Sequence, residues 1–201
     1  MPGPTDELVF APLGGVGEIG MNLALYGFGP EQHRSWIVVD MGIAFAGDEL
    51  PGIEVILPDI RYLVEERRNL LGLVLTHAHE DHFGALLDLW PQLKIPVHAT
   101  PFTAALLAAK RAGEPGAPDI PVNIIPLGAR FALGPFDIEL VSMAHSIPES
   151  NGLLIEECHR RKAHMQRALR PGHRNASAQS NVLLAEDGGG QQRSRIRRPL
   201  R

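Results

Sequence analysis

Thr76-His-Ala-His-Glu-Asp-His82 is the stretch that decides both how this chain folds and what it can hold. It packs three histidines and two carboxylates into seven residues, directly after the apolar run Leu71-Gly-Leu-Val-Leu75. A short apolar run closed by a polar turn reads as a buried strand. Alternation along an extended segment places His77 and His79 on the same side, so both can reach one ion. A turn after Glu80 then brings Asp81 and His82 round to a second ion beside it. Zinc takes imidazole nitrogen and carboxylate oxygen at about 2.0–2.2 Å, so the residue types suit it. The alternative is a solvated polar loop, but crowding these groups together without a cation costs free energy as they desolvate. Sites in α/β domains lie at the carboxyl ends of strands, where this one falls. Two ions about 3.5–4 Å apart can clamp both the attacking and leaving oxygens of a displacement, on phosphodiesters, esters or strained amides.

Working outward, the flanking chain alternates strands and helices. Leu8–Pro12, Met21–Tyr26 and Ser35–Asp40 read as strands, the second closed by Gly27, Gly29 and Pro30. Pro58 opens a helix whose run Glu65-Glu-Arg-Arg68 is a solvated face. Beyond the histidines, Phe83–Trp90 has helical spacing and Ile95–Ala99 is a strand. Thr100, Pro101 and Gly113 then suit the cap, first turn and end of another helix. Val122–Ile125 and Phe136–Val141 are further strands. The expectation is a layered α/β domain over residues 8–155.

Gly15-Val-Gly-Glu-Ile-Gly20, with Asp40 twenty residues beyond, matches the dinucleotide-binding fingerprint. That site needs the glycines to open a helix facing the pyrophosphate. Here the strand-like Met21–Tyr26 comes next instead, and no helix of useful length fits before Ser35. A loop between two strands, with glycines supplying positive φ, is the better reading.

His145 lies just after the strand Phe136–Val141 and is expected to be a further metal ligand. Asp40 ends an apolar strand, and its expected role is to support a histidine ligand from behind, with a strand-end cap as the alternative. His33 and His98 read as incidental, and Trp36 and Trp90 as core. The apolar fraction is 44%, and the longest apolar runs fall far short of the roughly 20 residues a membrane span needs. With a single cysteine, Cys158, and no basic-then-apolar start, a cytoplasmic location is expected. Residues 1–155 carry 8 Lys/Arg against 19 Asp/Glu, whereas residues 156–201 carry 11 against 4. The acidic part offers no basic face, so no case for nucleic acid can rest on charge. The basic part, with Gly188-Gly-Gly190 and Gln-Gln-Arg-Ser-Arg, reads as a disordered tail in which only Val182–Ala185 looks strand-like.

His-x-His-x-Asp-His at 77–82 resembles the defining motif of the metallo-β-lactamase superfamily. Leu13–Asn22, Val39-Asp-Met-Gly42, Leu75–Ala85 and His145-Ser-Ile-Pro-Glu-Ser-Asn151 are together similar to the N-terminal part of the ribonuclease J family, in the β-CASP branch. The resemblance implies a four-layer αβ/βα sandwich, present here in part, and two zinc ions. It implies that His77, His79 and His145 hold one ion, that Asp81 and His82 hold the other and act in catalysis, and that Asp40 supports the site. RNA is the implied substrate, cleaved at its phosphodiesters, and homo-oligomers are the implied assembly. It also implies a bridging aspartate near position 167, where this chain has Arg167; Asp187 is a poor substitute. Residues 156–201 are therefore expected to be a frameshifted or unrelated tail on a truncated copy, whose activity is in question. Two other functions fit such a chain: a small-substrate metallohydrolase of the thioesterase or lactonase type, or a non-catalytic metal-binding fragment that pairs with a partner.

Overall fold

The computed structural model describes residues 6–157 and 182–184. In chain order its elements are β1 (Glu7–Gly14), β2 (Leu23–Gly29), β3 (Ser35–Val39), β4 (Ala44–Phe45), β5 (Val55–Ile56), α1 (Arg61–Glu65) and β6 (Leu70–Val74). Next come α2 (Glu80–Phe83), α3 (Leu86–Leu93), β7 (Val97–Ala99), α4 (Pro101–Gly113), β8 (Val122–Ile124), β9 (Arg130–Leu133), β10 (Phe136–Ser142), β11 (Asn151–Glu157) and β12 (Val182–Leu184). Six strands form one sheet in the order β1-β2-β3-β6-β7-β8, antiparallel at the β1 end and parallel from β3 onward. A second sheet runs β12-β11-β10-β9, and β4 pairs with β5 in a small hairpin.

Strand β3 shows why the pattern produces layers. Ile37 and Val39 face the second sheet, where they pack with Phe136, Ile138, Leu140, Leu153 and Ile155. Trp36 and Val38 face the other way, into a cluster with Leu63, Leu86, Leu93 and Leu107 of the helices. A strand buried on both faces has no polar alternation, which is why Trp36–Val39 reads as a continuous apolar run. Each such side chain contributes roughly 1.5–3 kcal/mol when fully buried. The described residues thus form three layers, helices on sheet on sheet, of the expected α/β sandwich.

Several local expectations need correction. Gly27 does not close the second strand: β2 runs past it, pairing with β3 through Phe28, and closes at Gly29 as expected. The helix expected after Pro58 starts only at Arg61. The single helix expected over 83–90 is two, joined at Gly84 and Ala85, and α3 runs through Pro91 to end on Lys94 in the left-handed region. Thr100 precedes α4 but makes no side-chain cap, because its buried hydroxyl bonds Thr103 Oγ1 at 3.1 Å. The α4 amide of Phe102 instead donates to Glu149 Oε2 at 2.8 Å, since a carboxylate suits the positive end of a helix better. Strands β4, β5, β9 and β11 are additions to the expected set. The glycine loop is as expected: Gly15, Gly17 and Gly20 all have positive φ between β1 and β2, with no helix. In the basic tail, Val182–Leu184 pairs in parallel with β11, whereas the disorder expected for the rest, and Arg167 and Asp187, lie outside the described residues.

His98 on β7 lies between the sheets, stacked on Phe131 with centroids 5.5 Å apart. Both of its ring nitrogens are buried without a hydrogen-bond partner. Burial lowers its pKa below 6.5, so the folded state resists protonation that the unfolded chain accepts. Stability on this account is full above pH 6.5 and declines as pH falls below it. His98→Leu should remove that slope and stabilise by about 1 kcal/mol, the cost of an unsatisfied buried polar group. Denaturant midpoints between pH 5 and 8 that track the parent chain would refute this.

Candidate metal centre

Four chain segments converge at the carboxyl ends of β3 and β6. Asp40, just past β3, adopts φ +60°, a left-handed turn that aspartate tolerates better than most residues. The turn sends Met41–Ile43 between the loop after Gly20 and the start of α2. Backbone amides stitch it on both sides: Met41 N to His82 O at 2.7 Å, Ile43 N to Glu80 O at 3.0 Å, Gly42 N to Asn22 O at 3.0 Å. Met21 N donates to Ile43 O at 2.7 Å and Asn22 N to Asp81 O at 2.9 Å. Contact here is so close that a Cβ on Gly42 would lie 1.7 Å from Asp81 O.

The histidines take their places from this frame. His77 is buried in the extended segment after β6, and His79 keeps extended dihedrals as the residue before α2. The α2 turn is closed by His82 N and Phe83 N, both donating to His79 O. His145 arrives from the β10–β11 loop, which Asn151 ties to Thr76 O and Glu149 ties to the start of α4. One nitrogen from each of His77, His79 and His145 can be chosen so that all lie within 4.8 Å of one another. His77 Nε2 and His145 Nε2 are each 3.1 Å from His79 Nδ1. Burial, reinforced by His82, His145 and His79, pushes the His77 pKa down to about 3. His79 is also lowered, by burial and then by His145, against the opposing pull of Asp81. Both rings are therefore neutral near pH 7, with a lone pair to offer a cation. The ring of His79 has Ser146 Oγ 3.4 Å from its Nε2, leaving Nδ1 for the cluster.

Asp81 and His82 form a second group beside the first. Asp81 Oδ2 lies 3.5 Å from His82 Nε2, and the Asn22 carboxamide nitrogen is 3.2 Å from each. The rings of His77 and His82 are 4.0 Å apart, so the two groups are adjacent. Behind them, buried Asp40 accepts from Thr76 N at 2.8 Å, from Thr76 Oγ1 at 2.8 Å and from His82 Nδ1 at 2.7 Å. Burial works against a charged His82, but the charge and hydrogen bond of Asp40, with Asp81, outweigh it and raise its pKa. With Nδ1 donating to Asp40, the lone pair of a neutral His82 falls on Nε2, the atom that lies against the Asn22 carboxamide nitrogen.

All six residues singled out from the sequence thus meet at one place. His77, His79 and His145 come together as a three-nitrogen group. Asp81 and His82 pair with each other next to it, and Asp40 contacts His82 directly. Sequence reading passes over Asn22, Thr76 and Glu149. Each sits inside a quoted stretch, but none is a usual zinc ligand in its setting, so nothing in the local pattern separates it from its neighbours.

The Metallo-beta-lactamase superfamily profile matches residues 31–152, and the chain belongs to that superfamily. Its curated relatives are more particular. Ribonuclease J of Sinorhizobium meliloti is 59% identical over 150 residues, 75% of this chain and 27% of that protein. Ribonuclease J of Thermus thermophilus is 36% identical over 165 residues, again 27% of its length, and that of Helicobacter pylori 35% over 147 residues, 21% of its length. The chain thus spans about a quarter of the length of these relatives. Among solved structures, a protein of unknown function from Enterococcus faecalis V583 aligns with TM-score 0.53 at 18% identity, over 76% of this chain and 42% of that one. The metallo-beta-lactamase fold protein YhfI from Bacillus subtilis aligns with TM-score 0.50 at 13% identity, over 76% and 58%. These two speak for the fold alone.

Proposed function

We propose that this chain carries the first part of a two-zinc site for hydrolysis of RNA phosphodiesters, in the manner of the ribonuclease J enzymes it resembles. The observation that carries this is the pair of adjacent donor groups, three imidazole nitrogens beside one carboxylate and one imidazole. A tetrahedral zinc with nitrogen ligands at about 2.0–2.1 Å spaces those nitrogens by about 3.3–3.4 Å. The 3.1 Å spacings around His79 fit within a few tenths of an ångström. In this reading His77, His79 and His145 hold one ion, and Asp81 and His82 contribute to the second and are the catalytic residues. The ions would supply Lewis-acid polarisation of a phosphoryl oxygen and activation of water.

The chain's own residues do the rest. Neutral His77 and His79 keep their lone pairs available, and Asp40 fixes the ring of His82. Asp81 keeps a third of its side chain open to solvent, where a substrate oxygen can reach it. No helix among the described residues is long and apolar enough to cross a membrane, and we place the protein in the cytoplasm with RNA as its partner and copies of itself as the expected assembly.

Elemental analysis of the purified chain tests the site first. About two zinc per chain, lost in His77→Ala, is the expected result; one or none would count against a paired site. Cleavage of 5′-monophosphorylated RNA then tests the substrate. Turnover of a thioester or lactone with no RNA cleavage would overturn the RNA assignment.

A further inference from the structure

We infer that Thr76 is a positioning residue: its hydroxyl carries the influence of the Asp40 carboxylate to His77, so that one buried acid sets the tautomers of histidines in both donor groups. This rests on the metal-site reading above and extends it to a residue that is not a ligand. Thr76 is fully buried, as is His77, and Asp40 nearly so. The Thr76 oxygen lies 2.8 Å from Asp40 Oδ2 and 2.9 Å from His77 Nδ1. A carboxylate oxygen only accepts, so the single hydroxyl proton goes to Asp40. What the hydroxyl then shows to His77 is a lone pair, and the imidazole must answer with Nδ1–H. The free lone pair of His77 is thereby forced onto Nε2, the atom 3.1 Å from His79 Nδ1.

His82 receives the same instruction without an intermediary, because its Nδ1 bonds Asp40 Oδ2 at 2.7 Å. The acid is thus shared between His77 of the three-nitrogen group and His82 of the neighbouring pair. Thr76 N, donating to Asp40 Oδ1 at 2.8 Å, holds the carboxylate in the orientation that makes both bonds possible. Removing the hydroxyl while keeping the shape isolates the relay, since the backbone bond survives in any substitution but proline. A histidine ligand's outer hydrogen bond typically governs metal affinity by about 10–100-fold.

The test uses nitrogen-15 NMR of histidine-labelled, metal-free chain, with zinc affinity from competition against a chromogenic chelator. In the parent chain His77 and His82 should both carry their proton on Nδ1. Thr76→Val should leave His82 unchanged, convert His77 to a mixture of tautomers, and weaken zinc binding about 10–100-fold. Thr76→Ser should restore the His77 signature and the affinity. A parent His77 protonated on Nε2 would overturn the relay, as would a Val variant with unaltered tautomer and affinity. The parent spectrum decides the matter even if the Val variant does not fold. If the parent chain takes up no zinc, the hydrolase reading fails by itself, while the tautomer measurement still decides this one.

Discussion

Gly42→Ala should unfold the ligand loops and abolish zinc uptake together, although position 42 touches no ion. The added Cβ would sit 1.7 Å from Asp81 O, 2.0 Å from Asp81 C and 2.7 Å from His82 N. All three are backbone atoms, so no side chain can swing aside to make room. The Met41–Ile43 segment or the first turn of α2 must move, and either motion breaks the bonds from Met41 N and Ile43 N. Overpacking of this kind costs about 1–3 kcal/mol, and here the upper end or more is expected because the clash is with main chain. Gly113→Ala is the matched control, since nothing lies within 4 Å of its added Cβ and it ends a helix. That change should be neutral or stabilising by up to about 1 kcal/mol. Equal urea midpoints for the two variants would sink the steric argument.

Asp40→Asn is the second large effect. Asparagine accepts the left-handed φ about as readily as aspartate, so the backbone has no reason to move. What changes is polarity at one atom. The carboxamide keeps one oxygen but sets an NH2 group against a second position that now meets only donors. Oriented to satisfy Thr76 N, it faces Thr76 Oγ1 and His82 Nδ1 with hydrogens, and both lose their acceptor. Each buried group left unsatisfied costs about 1–3 kcal/mol. Zinc affinity should fall by at least the 10–100-fold typical of one outer-shell bond, since His82 and His77 are affected together. Chelator competition and thermal unfolding measure the two effects, and a variant as stable and as zinc-avid as its parent would exclude Asp40 from the site.

Whether a residue's role can be read from sequence depends on whether that role is local. His77, His79, Asp81 and His82 fall within six residues, and alternation capped by one helical turn is enough to divide them into two groups. His145 and Asp40 are legible from their position at strand ends, where such sites lie. Asn22 cannot be found in this way, because its carboxamide matters only once the β1–β2 loop has folded against α2. The same holds for Glu149, whose helix partner is 47 residues away, while the cap expected at Thr100 is a reasonable local choice that a distant carboxylate displaces. Strand β9 escapes notice because Arg130–Leu133 is short and only half buried. Strand β11 escapes it because the strand begins on the polar Asn151-Gly152 and ends on two glutamates, which hide the buried Leu153 and Ile155. The glycine fingerprint loses its dinucleotide meaning because a strand, in place of a helix, succeeds it.

The stitching around Met41–Ile43 bears on how such a chain can drift in sequence. Its six amide-to-carbonyl links join Met21, Asn22, Met41, Gly42 and Ile43 to one another and to Glu80, Asp81, His82 and Ala85. Every amino acid except proline brings the same donor and acceptor to such a link. Mutation can therefore rewrite the side chains at Met41 and Ile43, within the limits of packing, while the main chain goes on presenting Asp81 and His82 at the same place. Within Met41–Ile43 only position 42 lacks that freedom, because there even a methyl group has nowhere to go. The frame is inherited through geometry, and a single glycine is the toll on its renewal.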